Sequence, residues 1–168
     1  DAFASYARSE RLDLREVDLN RLVEDVVDLH QQLKDPAAFS LDLDPALKTV
    51  MLDQDGLRQI LNNIIGNACD ALEGVDDARV SVSTQAEVQH DQPGISIIVE
   101  DSGPGFAEHI IGQVFEPYVT DKMKGTGLGL AIVKRITQAH GGFVIVSNTE
   151  HGGRVKVWLP ESSQVIEQ

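Results

Sequence analysis

The segment from Asp55 to Leu72 constrains the fold most. Leu57, Ile60, Leu61, Ile64, Ile65, Ala68 and Leu72 recur at helical spacing and form one apolar stripe, which must face a core. Gly74 and the acidic pair Asp76–Asp77 end this helix. Asn63 and Asn67 stand four residues apart on it, so both project from one face that lies off the stripe.

The rest of the chain alternates between helix and strand periods. Asp18 is an N-cap candidate for a helix reaching about Gln32, with Leu19, Leu22, Val23, Val26, Val27 and Leu29 on its apolar face. Residues 1–12 also read as helical, and Pro36 closes the second helix region. Alternation predicts two short strands, Phe39–Leu43 and Thr49–Leu52, joined around Pro45, and a longer one over Arg79–Val88. A turn at His90–Gly94 leads to the apolar strand Ile95–Glu100. A short helix near Ala107–Val114, a loop from Phe115 to Gly125 and a helix over Leu128–His140 follow. Strands Phe143–Ser147 and Val155–Leu159 close the chain around Gly152–Gly153. Helices interleaved with strands on short links predict an α/β (α+β) two-layer sandwich, with a mixed, mostly antiparallel sheet covered by helices on one face.

A chain of 168 residues with 42% apolar and 24% charged residues suits one globular domain with a real core. No apolar run approaches the ~20 residues of a membrane helix, and the start has no signal-peptide pattern. Cys69 is the only cysteine, so no internal disulfide or cysteine metal cluster can form, and a reducing cytoplasm is the expected home. The formal charge of −13 argues against a broad nucleic-acid or anionic-membrane surface. An anionic ligand would need local devices such as backbone N–H groups, a few placed cations or a metal ion.

Three segments could supply such devices. The amide oxygens of Asn63 and Asn67 are hard ligands suited to Mg²⁺, although such a pair is more often a plain polar stripe. Asp101-Ser-Gly103-Pro-Gly105 follows an apolar strand directly. Its glycines permit a sharp turn and close approach to a ligand, and the carboxylate could accept from an exocyclic amine or simply satisfy its own turn. Gly125-Thr126-Gly127-Leu128-Gly129-Leu130 precedes a helix, and successive N–H groups at a helix N-terminus favour phosphate. It is neither a P-loop nor Gly-x-Gly-x-x-Gly, because no Lys-Ser/Thr follows and Leu130 replaces the third glycine. Lys122 and Lys124 just before it are cations suited to phosphates. His30, His90, His109, His140 and His151 are dispersed without zinc-ligand spacing, and each reads as a surface or helix-end residue.

In this order and spacing, Asn63-x-x-x-Asn67-Ala68, Asp101-x-Gly103-x-Gly105, Phe115-Glu-Pro-Tyr118 and Gly125-Thr-Gly-Leu-Gly-Leu130 resemble the N, G1, F and G2 boxes of sensor histidine kinases. The resemblance spans roughly residues 14 to 160 and leans toward the nitrogen-regulation type. It implies the Bergerat ATP-binding fold, also used by gyrase, the Hsp90 chaperones and MutL. It makes residues 13–162 the catalytic domain, 1–12 the last turns of a preceding dimerisation helix and 163–168 a tail. Asn67 becomes the Mg²⁺ ligand, with Asn63 close to the triphosphate. Asp101 reads the adenine amine, Gly103 and Gly105 shape that pocket, and Phe115 belongs to the nucleotide site. Lys122 with Gly125, Thr126, Gly127, Leu128 and Gly129 forms a lid over the phosphates. The resemblance does not extend to a phosphate contact at Asp70, where many members carry Lys or Arg. Nor does it give an adenine contact at Arg154, where a small hydroxyl residue is common.

The family's acceptor motif, His-Glu or His-Asp before Asn-Pro, occurs nowhere in these residues. The expected function is therefore that of a catalytic domain without its substrate histidine. It binds Mg–ATP and donates the γ-phosphate to a histidine on the dimerisation domain of a longer protein, free or membrane-anchored, for onward transfer to a response regulator receiver domain. ATP-hydrolysing relatives place a glutamate general base at the position of Asn63, and an amide cannot take that proton. A hydrolysing ATPase or serine kinase is the rival within the fold. A nucleotide-binding module without catalysis is the rival outside it.

Overall fold

The computed structural model describes residues 11–33, 38–117 and 129–161. The expected helix over residues 1–12 falls outside them except for Arg11 and Leu12, which are not helical. Tyr118, Lys122, Gly125, Thr126, Gly127, Leu128 and the tail 163–168 also fall outside them.

The first half contains β1 (Leu14–Val17), α1 (Leu19–Leu33), β2 (Ala38–Leu43), β3 (Val50–Asp53) and α2 (Gln54–Asp70). The second contains β4 (Arg79–Gln89), β5 (Gln92–Asp101), α3 (Glu108–Ile111), α4 (Gly129–Ala139), β6 (Phe143–Asn148) and β7 (Gly153–Pro160). One sheet has the order β2-β4-β5-β7-β6, with β2 and β4 parallel and the other pairs antiparallel. β1 and β3 form a separate antiparallel pair. This is the mixed, mostly antiparallel α/β arrangement expected. α2 packs between α1 and α4 and lies against the sheet.

α2 forms because burial outweighs local propensity. Leu57, Ile60, Leu61, Ile64 and Ile65 are all buried, at about 1.5–3 kcal/mol each. Its three asparagines and Gly66 cost at most about 1 kcal/mol each relative to alanine. The helix begins earlier than periodicity suggested, because Asp53 caps it: its Oδ1 accepts the Gly56 N–H at 2.9 Å. At α1, Asp18 caps as expected, its Oδ1 accepting the Arg21 N–H at 3.2 Å.

Several elements depart from expectation. Leu29 is 47% exposed, since it lies about 90° from the centre of the buried α1 stripe, where His30 continues instead. The link around Pro45 makes no hairpin: Asp44 N–H donates to Thr84 Oγ1 and its carbonyl accepts from Asn20, tying the link to β4 and α1. The β4–β5 turn uses only His90 and Asp91, with φ of 50° and 64°, the left-handed pair a two-residue hairpin needs. Pro93 and Gly94 thus lie within β5, and Gly94 leaves room for Trp158, which would sit 2.5 Å from a Cβ there. β1 escaped notice because only Val17 of its four residues is buried.

Candidate functional site

α2 carries Asn63 and Asn67 on its half-buried flank, turned toward the start of α4. A Cβ on Gly129, the first residue of α4, would sit 3.3 Å from Asn63 Oδ1 and 3.9 Å from Asn67 Nδ2. A helix N-terminus thus packs directly over the two amides. Of the second glycine box, Gly129 and Leu130 are among the described residues, and Gly129 packs against Asn63 and Asn67.

The second part of the site is the end of β5. Asp101 is half-buried, and its Oδ1 accepts two backbone donors, Gly103 N–H at 2.9 Å and Gly153 N–H at 3.3 Å. One oxygen of Asp101 thus serves the turn, as the turn reading of this residue expects. Ser102 holds the same turn from the other side, its Oγ accepting the Arg79 N–H at 2.8 Å. Gly103 leans on the C-terminal end of α2, where a Cβ would come within 2.7 Å of the Ala71 carbonyl. The helix that carries the asparagines thereby also positions the Asp101 turn. Gly105 has φ of +80°, a conformation that glycine adopts without strain.

Phe115 stands apart from Asp101 along the chain but joins α4, since Lys134 Nζ lies 5.7 Å from its ring centroid. Lys122, Gly125, Thr126, Gly127 and Leu128 have no structural description to set beside their expected roles.

Reading the sequence missed three residues here. Gly153 donates its N–H to the Asp101 carboxylate, and Gly152 packs against the Asp101 carbonyl. Arg154 points to the opposite face of β7, where its Nε lies 3.6 Å from Glu100. Alternation along the strand could have separated it from Gly153. Asn148 binds Phe106 of the Asp101 loop. His140, read as a helix-end residue, is at a helix end but fully buried. Its Nδ1 donates to the Ile136 carbonyl at 2.9 Å, and its Nε2 accepts the Asp53 N–H at 3.1 Å. It joins the end of α4 to the start of α2. Burial pushes its pKa below the usual 6.5, against the opposing influence of the Ile136 hydrogen bond and the Asp53 charge.

Residues 52–163 match the family of histidine kinase-, DNA gyrase B- and HSP90-like ATPases, and the chain belongs to this family of ATP-binding domains. Its relatives are sensor histidine kinases. It is 33% identical to a putative NtrY-like sensor histidine kinase of Rickettsia felis, over 91% of this chain and 25% of that protein. The chain thus spans about a quarter of the length of that relative. The catalytic domain of the histidine kinase ThkA shares the fold at TM-score 0.78 and 26% identity, covering 91% of this chain and 99% of that one. Full-length ShkA in complex with AMPPNP matches at TM-score 0.74 and 28% identity, covering 96% of this chain and 35% of that one. Among the described residues no helix is long and apolar enough to cross a membrane.

Proposed function

We propose that this domain binds Mg–ATP and transfers the γ-phosphate to a histidine on the dimerisation domain of its parent protein, which then passes it to a response regulator receiver domain. In this reading residues 13–162 are the catalytic domain, the dimerisation helix ends before Arg11, and the domain works in the cytoplasm. The observation that carries the reading is the packing of Gly129 over Asn63 and Asn67. It sets the start of a helix beside the Asn63 amide oxygen and the Asn67 amide group, a fitting surround for a phosphate chain and a hard cation.

Asn67 would hold Mg²⁺, with Asn63 beside the triphosphate. The ion, when bound, supplies charge neutralisation on the phosphate oxygens. Asp101 would hold the adenine end: Oδ1 is fixed by Gly103 and Gly153, and Oδ2 would accept from the exocyclic amine. Lys122 and the residues from Gly125 to Gly129 close over the phosphates. Asn63 offers no base for water, which favours attack by an imidazole nitrogen that needs none. The N–P bond forms as the bond from the γ-phosphorus to the bridging oxygen breaks, and ADP departs. The chain's contribution is then positioning and exclusion of water.

The test is titration of ATP with and without Mg²⁺ into the wild type and Asn67→Ala. The variant should lose the Mg²⁺-dependent part of affinity, by more than about fivefold, because a cation ligand exceeds an ordinary hydrogen bond of about 1 kcal/mol. Equal affinities with Mg²⁺ in both proteins would refute the assignment.

A further inference from the structure

The chain leaves the sheet at Asp101, yet five residues later it is fastened to the sheet again by a side chain. Asn148, the last residue of β6, accepts the Phe106 N–H on Oδ1 at 2.7 Å and donates from Nδ2 to the Phe106 carbonyl at 2.9 Å. One amide side chain thus serves both main-chain groups of one residue, as a neighbouring strand would. Asparagine has one donor and one acceptor at the right separation. Aspartate has only acceptors, and serine is too short to reach both groups.

Three further contacts connect this fastening to the base end of the site. A Cβ on Gly105 would lie 2.7 Å from Asn148 Oδ1, so the glycine and the asparagine fit each other. A Cβ on Gly153 would lie 3.2 Å from both Phe106 Cε2 and Asp101 Oδ2, so ring, glycine and carboxylate meet at one point. The two donors to Asp101 Oδ1 come from the two segments that Asn148 joins: Gly103 from the loop after β5, and Gly153 from the strand paired with β6 at Asn148 itself.

We propose that Asn148 is a positioning residue for base recognition: by holding the main chain of Phe106, it fixes the Asp101 carboxylate that distinguishes adenine from guanine. The proposal rests on the reading of Asp101 as the acceptor for the adenine amine. Asn148 never touches the nucleotide. It acts by keeping both donors in place, so that the carboxylate is presented before the base arrives. Its hydrogen bonds are solvent-exposed, and the β6–β7 ladder continues without its side chain, so its loss acts locally.

The experiment measures the dissociation constants of Mg–ATP and Mg–GTP for the wild type, Asn148→Ala, the isosteric Asn148→Asp and Asp101→Asn. Amide hydrogen exchange is followed at Gly105 and Phe106. Asn148→Ala, which removes both hydrogen bonds, should lose up to about tenfold in ATP affinity and Asn148→Asp, which loses only the donor, up to about fivefold, while GTP affinity changes less than about twofold in each. Their ATP-over-GTP preference therefore shrinks, and the Phe106 amide exchanges faster. A general loss of fold would lower both affinities by the same factor and leave the preference intact. Should Asn148→Ala not fold, Asn148→Asp carries the test, because it keeps size and one acceptor. A full ATP preference in the Asn148 variants, alongside a lost preference in Asp101→Asn, would overturn the positioning role alone. A full preference in Asp101→Asn would overturn the base-reading role of Asp101 and the proposal with it.

Discussion

Acidification should weaken this domain through His140, and the direction follows from its hydrogen bonds. The ring is fully buried between a carbonyl that can only accept and an N–H that can only donate. It is therefore neutral, with its proton on Nδ1. A second proton on Nε2 would face the Asp53 N–H, donor against donor. Burial, the largest influence, holds the folded pKa below 6.5, while the unfolded imidazole titrates near that value. Between the two, the unfolded chain binds more protons, so stability falls as pH falls through that window and is unaffected by this ring well above it. One proton limits the slope to about 1.4 kcal/mol per pH unit, so His140 removes at most about 1.4 kcal/mol between pH ~6.5 and ~5.5. Urea unfolding followed by circular dichroism at about pH 8, 6.5 and 5.5 measures this in the wild type and His140→Gln. The variant should be less stable by about 1–3 kcal/mol at pH ~8, as the best hydrogen-bond geometry is lost. Its stability should depend less on pH than that of the wild type. If both proteins lose the same stability between pH ~8 and ~5.5, the assignment of this titration to His140 is wrong.

Two further perturbations test packing around the site. Gly152→Ala would push a methyl group into the Asp101 carbonyl, and both neighbours are backbone, so the β6–β7 turn must move. It should cost about 1–3 kcal/mol or more in unfolding experiments and weaken ATP binding by displacing the Gly153 N–H, whereas full stability would show the turn to be slack. Trp158→Phe removes the indole N–H that donates to the Glu87 carbonyl at 2.8 Å, together with part of the stack on Phe143 at 5.5 Å. A loss of about 1–3 kcal/mol with unchanged ATP affinity is expected, because this patch lies on the sheet face opposite the helices.

What the chain reveals before folding depends on how far apart the partners are. Asn63 and Asn67 were legible as a pair because helical geometry alone puts residues four apart on one face. Asp101, Gly103 and Gly105 were legible because a strand running into a glycine turn is a local signal. The contact between Gly129 and Asn63 depends on how α2 and α4 pack, which no local pattern encodes. The hydrogen bonds from Asn148 to Phe106, from Gly153 to Asp101 and from Asp53 to His140 cross 42, 52 and 87 residues, and no periodicity encodes them. His140 illustrates the limit: it lies at a helix end, one of the two places expected for it, but its full burial depends on tertiary packing. Leu29 shows an error, an apolar residue placed at the edge of a stripe whose centre is occupied by His30.

Phosphoryl transfer to a protein histidine can be observed directly. The direct measurement mixes this chain and γ-labelled ATP with a separate dimerisation domain carrying the acceptor histidine, and follows label that is labile in acid and stable in base. Label should appear on the dimerisation domain, fall sharply with Asn67→Ala, and be absent when this chain is incubated alone. Stable phosphohistidine on this chain by itself, or release of free phosphate with none on the dimerisation domain, would contradict it.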